Sequence, residues 1–127
     1  MYTEEVKEHF KNPQNVGELE NPDAVGEAKY EAHGDIIKLF IKIEDNVISD
    51  IKFKTFGCGA AIATSSMVTE LAKGKDLEEA KEISNEMVAE ALDGLPSEKL
   101  HCSNLAADAL LEAINNYQKE KVEQEND

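Results

Sequence analysis

The chain has 127 residues, of which 41% are hydrophobic and 31% are charged, and its formal net charge is -14. This length suits one folding unit with its own core, so we expect a single domain over residues 1–127. The acidic balance argues against nucleic acid or an anionic membrane as a partner, because both carry negative charge. The chain starts with polar residues, contains two cysteines and lacks a long apolar run. These features predict a cytoplasmic protein with free thiols and no membrane span.

Residues 3–11 are predicted to form a short helix that Thr3 caps. Val6 and Phe10 stand four positions apart and would form its apolar stripe. His9 on the same helix is interpreted as a surface histidine, because nothing beyond its residue type indicates a function. An irregular connection rich in asparagine and proline follows this helix.

Three strand-like segments come next, over residues 25–32, 36–43 and 47–56. The second and third segments alternate apolar residues with polar ones, which is typical of half-buried strands. The short loop Glu44-Asp45-Asn46 separates them and predicts a hairpin. Consecutive hairpins indicate an antiparallel sheet with one buried face and one face in water.

The stretch 54–63 runs from a strand through a tight turn into a helix, and Cys58 lies in the turn. Gly57 and Gly59 leave the backbone on either side of the sulfur bare. A helix N-terminus near the sulfur would favour the thiolate, which is the form that binds metals and attacks electrophiles. The pattern therefore predicts a functional thiol, followed by a helix with an apolar stripe formed by Met67, Val68, Leu71 and Ala72.

Three further helices are predicted in the remainder of the chain. Asp76 is expected to cap a short helix, and Ser84 is expected to cap another over residues 85–92. Ser103 is predicted to cap the long last helix, and the charged segment 119–127 is expected to fray.

Five residues that could carry chemistry fall at element boundaries: His33, Asp35, Cys58, His101 and Cys102. Two thiolates with imidazole and carboxylate groups suit zinc or an iron–sulfur cluster. The spacing leaves open whether these groups share one metal, because there is no Cys-x-x-Cys pair. The neighbours His101 and Cys102 could reach one metal only from a bent or helix-entry backbone.

Each of these residues also has a plainer interpretation. His33 could be a turn residue, Asp35 a polar strand start, and Cys102 a helix N-terminal thiol with a lowered pKa and no ligand role. A papain-like Cys–His hydrolase fits poorly, because neither pair has a third orienting group or an oxyanion element.

Four motifs point to a known family: Asn12-Pro13-Gln14-Asn15-Val16-Gly17, Gly34-Asp35, Phe53-Lys54-Thr55-Phe56-Gly57-Cys58-Gly59 and Lys99-Leu100-His101-Cys102-Ser103. With these motifs, residues 3–118 resemble the IscU family, also called NifU-N-like, of iron–sulfur cluster assembly scaffolds. The resemblance implies an α+β fold with a three-stranded antiparallel sheet and helices packed on one side.

The resemblance also implies a function that is not enzymatic in the usual sense. A cysteine desulfurase would deliver persulfide sulfur, and a transient cluster, typically 2Fe-2S, would be built and passed to acceptor apo-proteins. Cys102 matches the sulfur acceptor and a cluster ligand, and Cys58 matches a second ligand. His101 matches a histidine that completes the coordination, and Asp35 an aspartate that keeps the cluster labile. The fourth ligand stays open between Asp35 and His101, and the oligomeric state between a monomer and a cluster-bridged dimer.

The chain departs from the family pattern at two positions. His33 stands where most members carry the first cluster cysteine, and imidazole can replace thiolate on iron. Glu98 replaces an apolar residue in the loop that a dedicated Hsp70-type chaperone binds, which counts against that partner. Two alternatives therefore stand beside the scaffold: a zinc-binding sulfur acceptor, and a degenerate paralogue that binds the desulfurase without a cluster.

Overall fold

A computed structural model of the chain describes residues 2–32 and 34–125. Its elements are α1 (Glu4–Lys11), β1 (Ala24–Tyr30), β2 (Asp35–Glu44), β3 (Val47–Phe56), α2 (Gly59–Ala72), α3 (Leu77–Lys81), α4 (Asn85–Ala91), a 3-10 turn (Ser97–Lys99) and α5 (Leu100–Glu125). The strands form one antiparallel sheet in the order β1-β2-β3, which confirms the predicted α+β architecture. Within the part of the chain that is described, none of the helices is both long enough and apolar enough to cross a bilayer.

The alternation of residue types along β2 decides which face of the sheet is buried. Ile37, Leu39 and Ile41 are completely buried, as the period of two predicts. The β2–β3 connection is a two-residue turn with φ of 51° at Asp45 and 66° at Asn46. Two consecutive left-handed residues match the type I′ hairpin, whose twist suits the twist of the flanking strands.

The helices pack on the buried face of the sheet, and α5 approaches β1 closely at Gly26. A Cβ atom at Gly26 would lie 2.1 Å from the carbonyl oxygen of Ala109 and 2.4 Å from the backbone nitrogen of Ala113. Only glycine therefore allows the backbone of the strand to touch the backbone of the helix. This contact fixes the position of α5 relative to the sheet.

Helix α2 lies in the centre of the molecule, and its burial extends beyond the predicted stripe of Met67, Val68, Leu71 and Ala72, which all contribute to the core. Its buried residues surround the helix axis and include Ala60, Thr64 and Ser65 as well as Val68. The reason is that α2 packs against α1, α4, α5 and β3 together. Its alanine, serine and threonine side chains are small enough for close approach from several directions.

Helix α1 packs differently from the prediction, although Thr3 caps it as predicted by accepting a hydrogen bond from the Val6 nitrogen. His9 is buried, and its Nδ1 lies 2.8 Å from Ser66 Oγ. The interpretation of His9 as a surface residue is therefore wrong. Phe10, which was expected on the buried stripe, is 51% exposed.

The caps of the later helices were predicted with mixed success. Asp76 and Ser84 cap α3 and α4 through side-chain oxygens, as predicted. Ser103 is not a cap: α5 begins at Leu100, and the Ser103 hydroxyl donates a hydrogen bond to the Leu100 carbonyl inside the first turn. Helix α5 extends as far as Glu125, because lysine, glutamate and glutamine are good helix formers. The expectation that the charged segment 119–127 frays stays a prediction.

Candidate metal and sulfur site

The starts of three elements meet at one end of the sheet. Asp35 begins β2, Cys58 is the N-cap residue of α2, and Cys102 lies in the first turn of α5. The two thiol sulfurs are 3.9 Å apart, and both cysteines are free. One carboxylate oxygen and the two sulfurs all lie within 4.8 Å of one another.

His101 faces the same group of atoms. Its Nε2 lies 3.1 Å from Asp35 Oδ2 and 3.5 Å from Cys102 Sγ. The entry of the chain into α5 at Leu100 provides the helix-entry backbone that two adjacent side chains need to reach one site. The ring of Tyr30 stacks on the imidazole with a centroid distance of 4.6 Å and an interplanar angle of 29°.

The two thiols differ in their access to solvent. Cys58 is partly exposed and borders a cavity of about 490 Å³, which Asp35, Lys99 and His101 also line. Cys102 is completely buried behind it. A molecule in the cavity therefore meets Cys58 before Cys102.

Burial also controls the ionisation of this pair. Burial raises the pKa of the Cys102 thiol to about 12, and the neighbouring Cys58 adds to the shift. The alternative that Cys102 is a thiol with a lowered pKa is therefore wrong for the metal-free chain. Attraction to Cys58 is the main cause of the raised pKa of Lys99. A bound metal ion would reverse the protonation of Cys102, because coordinating thiols are deprotonated.

Sequence reasoning did not assign Tyr30 or Lys99 to this site, and it gave Gly57 a role only beside the sulfur of Cys58. A Cβ at Gly57 would lie 2.6 Å from Asp35 Oδ1, so the glycine leaves room for the carboxylate. Tyr30 is paired with Asp35 in the β1–β2 register, a relation that a hairpin alignment could have revealed. Lys99 stands two positions before His101, inside a motif that was used only to recognise the family.

The structure brings together Asp35, Cys58, His101 and Cys102 out of the five predicted residues. His33 lies outside the described residues, so its predicted ligand role remains a prediction. Two thiols, an imidazole and a carboxylate are a donor set that tetrahedral zinc or iron can take. The arrangement can therefore bind a metal ion or a small cluster, and it can also carry thiol chemistry.

Comparisons with known proteins found sequences and folds similar to this chain. The NifU-like N terminal domain matches residues 1–124. The chain is 59% identical over 117 residues to the iron-sulfur cluster assembly scaffold protein IscU 1 of Archaeoglobus fulgidus, covering 92% of this chain and 76% of that protein. It is 48% identical over 124 residues to the scaffold protein IscU of Escherichia coli, covering 94% and 96% of the two chains.

The solved structures that are similar to the chain support the fold alone, because the identities are low. An iron-sulfur cluster assembly scaffold protein for the SUF system from Fervidobacterium islandicum superimposes with a TM-score of 0.75 at 23% identity, covering 89% of this chain and 96% of that one. A NifU-like N-terminal protein from Brucella abortus gives a TM-score of 0.71 at 20% identity, covering 93% and 94% of the two chains.

Proposed function

The chain belongs to the family of NifU-like N-terminal domains, and from this premise we propose that it is a scaffold on which a transient iron–sulfur cluster is assembled and then transferred. The observation that carries the proposal is the meeting of Asp35, Cys58 and Cys102 within 4.8 Å. Iron–sulfur clusters are held chiefly by thiolates, and one or two other donors can complete the coordination. The relatives are named as scaffolds of this kind.

In this proposal the cluster, typically 2Fe-2S, is the cargo of the protein. Cys58 and Cys102 provide the thiolates, His33 provides an imidazole, and Asp35 or His101 completes the set. A carboxylate is a hard ligand and binds a soft iron–thiolate centre weakly, which favours release. The protein then holds and transfers its cargo and does not turn over a substrate as an enzyme does.

We further propose that Cys102 receives the sulfur from a cysteine desulfurase in the cytoplasm, and that acceptor apo-proteins take the finished cluster. This role requires movement, because Cys102 is completely buried. Cys58 packs against the buried group that contains Cys102, and the glycines on either side of Cys58 give its turn more backbone freedom than other residues would. Docking of the desulfurase would have to open it.

A second candidate function is a zinc-binding sulfur acceptor. Three donor atoms, from Asp35, Cys58 and Cys102, lie within 4.8 Å of one another. A fourth donor, His101 Nε2, lies 3.1 Å from Asp35 Oδ2 and 3.5 Å from Cys102 Sγ. Structural zinc is bound by four such donors in tetrahedral geometry. In this alternative zinc holds the site together and the thiols only relay sulfur.

The test is the content of iron, zinc and acid-labile sulfide per chain, measured on protein purified without oxygen. The scaffold predicts iron and sulfide in matching amounts, which Cys58→Ser and Cys102→Ser should each reduce severely. Ser103→Ala is the matched control in the same helical turn and should retain the cluster. Zinc without sulfide would favour the second candidate. A chain with none of the three, even after iron and sulfide are supplied, would contradict both.

The role of His33 has a test of its own. Protons and iron compete for the imidazole nitrogen near neutral pH, whereas thiolates are the ligands that chiefly hold iron–sulfur clusters. His33→Cys should therefore strengthen cluster retention at mildly acid pH, as followed by visible absorbance. An unchanged pH profile would mean that His33 is not a ligand.

A further inference from the structure

We propose that the Cys58–Cys102 pair itself reduces a persulfide sulfur to sulfide by closing an intramolecular disulfide. The inference rests on the proposed function in one respect, because the persulfide is the form in which sulfur would arrive. Its own basis is the separation of 3.9 Å between two free thiols. These are the only cysteines of the chain.

The reaction is a thiol–disulfide exchange in which the leaving group is hydrosulfide. When Cys102 carries the extra sulfur as Sγ–SH, the Cys58 thiolate attacks Cys102 Sγ. The bond from Cys102 Sγ to the terminal sulfur breaks, and hydrosulfide leaves with its hydrogen. The terminal sulfur leaves with the electron pair of the broken bond, and the Cys58 thiolate supplies the pair of the new bond. Cys58 is thereby oxidised from thiolate to disulfide, the terminal sulfur is reduced from persulfide to hydrosulfide, and the oxidation state of Cys102 Sγ does not change. The same balance holds if Cys58 carries the extra sulfur and Cys102 attacks.

The geometry favours this exchange over attack by a thiol from solution. Closing the gap from 3.9 Å to a disulfide bond of about 2.05 Å requires a combined movement of about 1.9 Å. Cys58 lies in a turn between two glycines, whereas Cys102 is held in a helix. Two groups held this close react as if their concentration were far above that of any free thiol.

The surroundings provide a route for the product. Cys58 borders the cavity of about 490 Å³, and Lys99 lines the same cavity. The lysine ammonium attracts an anion such as hydrosulfide. Sulfide would therefore be produced beside the residues proposed to bind iron.

This reaction must be accompanied by a second one that reduces the disulfide. The disulfide product has no thiolate with which to bind iron, so a dithiol or another two-electron reductant must reopen it after each sulfide. The proposal therefore places a disulfide-reducing reaction in every round of assembly.

The experiment begins by loading the chain with sulfur from inorganic polysulfide without oxygen, followed by desalting and incubation without reductant. Released sulfide is measured, and intact mass is recorded after N-ethylmaleimide treatment. The wild-type chain should release sulfide, take up no maleimide and become two hydrogens lighter than the reduced chain. Cys58→Ser and Cys102→Ser should each retain the extra sulfur on the remaining cysteine.

Two results would overturn the proposal. One is a wild-type chain that keeps its persulfide as long as the two serine variants do. The other is sulfide release that yields disulfide-linked dimers and slows on dilution, since the exchange would then be intermolecular. A measurement independent of polysulfide loading uses diamide, which should close the disulfide within one chain; a chain that stays reduced excludes the required geometry.

Failure of this inference can be separated from failure of the scaffold. Iron and sulfide supplied directly bypass the persulfide, so a cluster formed under those conditions shows that the scaffold role survives. The absence of a cluster under the same conditions counts against the proposed function instead.

Discussion

The middle of α5 and its first turn have different roles. At its middle, Ala109 and Ala113 lie so close to Gly26 that backbone atoms of helix and strand are in contact. In its first turn, His101 and Cys102 place reactive atoms 3–4 Å from other reactive atoms, beside an open cavity. One helix is therefore fixed by its packed middle and carries chemistry at its start. Substitutions in the middle should change stability, and substitutions at the start should change metal and sulfur chemistry.

The largest effect is expected for Gly26→Ala in the packed segment. The new methyl group would lie 2.1 Å from the Ala109 carbonyl oxygen, so β1 and α5 must separate. Overpacking against backbone that cannot yield should lower the free energy of unfolding by at least about 3 kcal/mol. That is a large share of the stability of a typical domain, about 5–15 kcal/mol. Urea unfolding followed by circular dichroism measures the change.

Gly74→Ala is the matched control for this substitution. Gly74 has φ of +86°, and among the described residues no atom lies within 4 Å of a Cβ built there. The control therefore adds backbone strain of about 1–2 kcal/mol without a clash. Equal losses in the two variants would mean that the contact at Gly26 does not limit the packing of α5.

The packed segment also shows what sequence reasoning could and could not predict about the fold. The strands were predictable because alternation along 36–43 reports directly which side chains are buried. The contact at Gly26 was not, because an approach between residues more than 80 positions apart leaves no local pattern. The same reason explains the error at His9, whose partner Ser66 is remote in sequence. The burial of α2 on all sides could not be predicted, because small polar residues do not mark buried positions in the sequence, although a core tolerates them where helices approach closely.

The first turn of α5 shows which features of the site can be predicted from the sequence and which cannot. Cys58 and Asp35 could be selected because a glycine turn and a strand start mark places where side chains reach a common end of the sheet. The burial of Cys102 could not be predicted, since it depends on how deeply α5 is inserted. The stacking of Tyr30 on His101 could be predicted only from a residue-by-residue register between β1 and β2, which the predicted strand bounds leave open.

The next largest effect is the difference in alkylation rate between the thiol at the start of α2 and the thiol at the start of α5. Iodoacetamide at neutral pH should alkylate Cys58 at least about 10-fold faster than Cys102, because the thiolate is the nucleophile. Burial raises the pKa of Cys102 to about 12, so its labelling should rise as the pH approaches that value. Peptide mass spectrometry separates the two sites. In urea the two rates should converge, and equal rates in the folded chain would contradict the burial of Cys102.

A smaller effect is expected when the carboxylate is removed from the site. Asp35→Ala should slow the loss of a bound cluster several-fold, because the hard ligand that favours release is gone. Asp108→Ala removes the same charge from an exposed position on α5 and should leave the rate unchanged. Decay of visible absorbance in the presence of a chelator measures both variants. Faster loss in Asp35→Ala alone would mean that the carboxylate retains the cluster.

The smallest effect is expected for substitutions of Tyr30. They test whether the sheet holds the first turn of α5, as it holds the middle of that helix. The ring of Tyr30 stacks on His101 at a centroid distance of 4.6 Å, and such pairs contribute about 0.5–1.5 kcal/mol beyond burial. Tyr30→Ala should lower the free energy of unfolding by about that amount and broaden the NMR signals of the His101 ring. Tyr30→Phe keeps the ring and should therefore lose less stability than Tyr30→Ala. If Tyr30→Phe instead behaves like Tyr30→Ala, the hydroxyl group and not the stacked ring supports His101, and the start of α5 is held by polar contacts where its middle is held by packing.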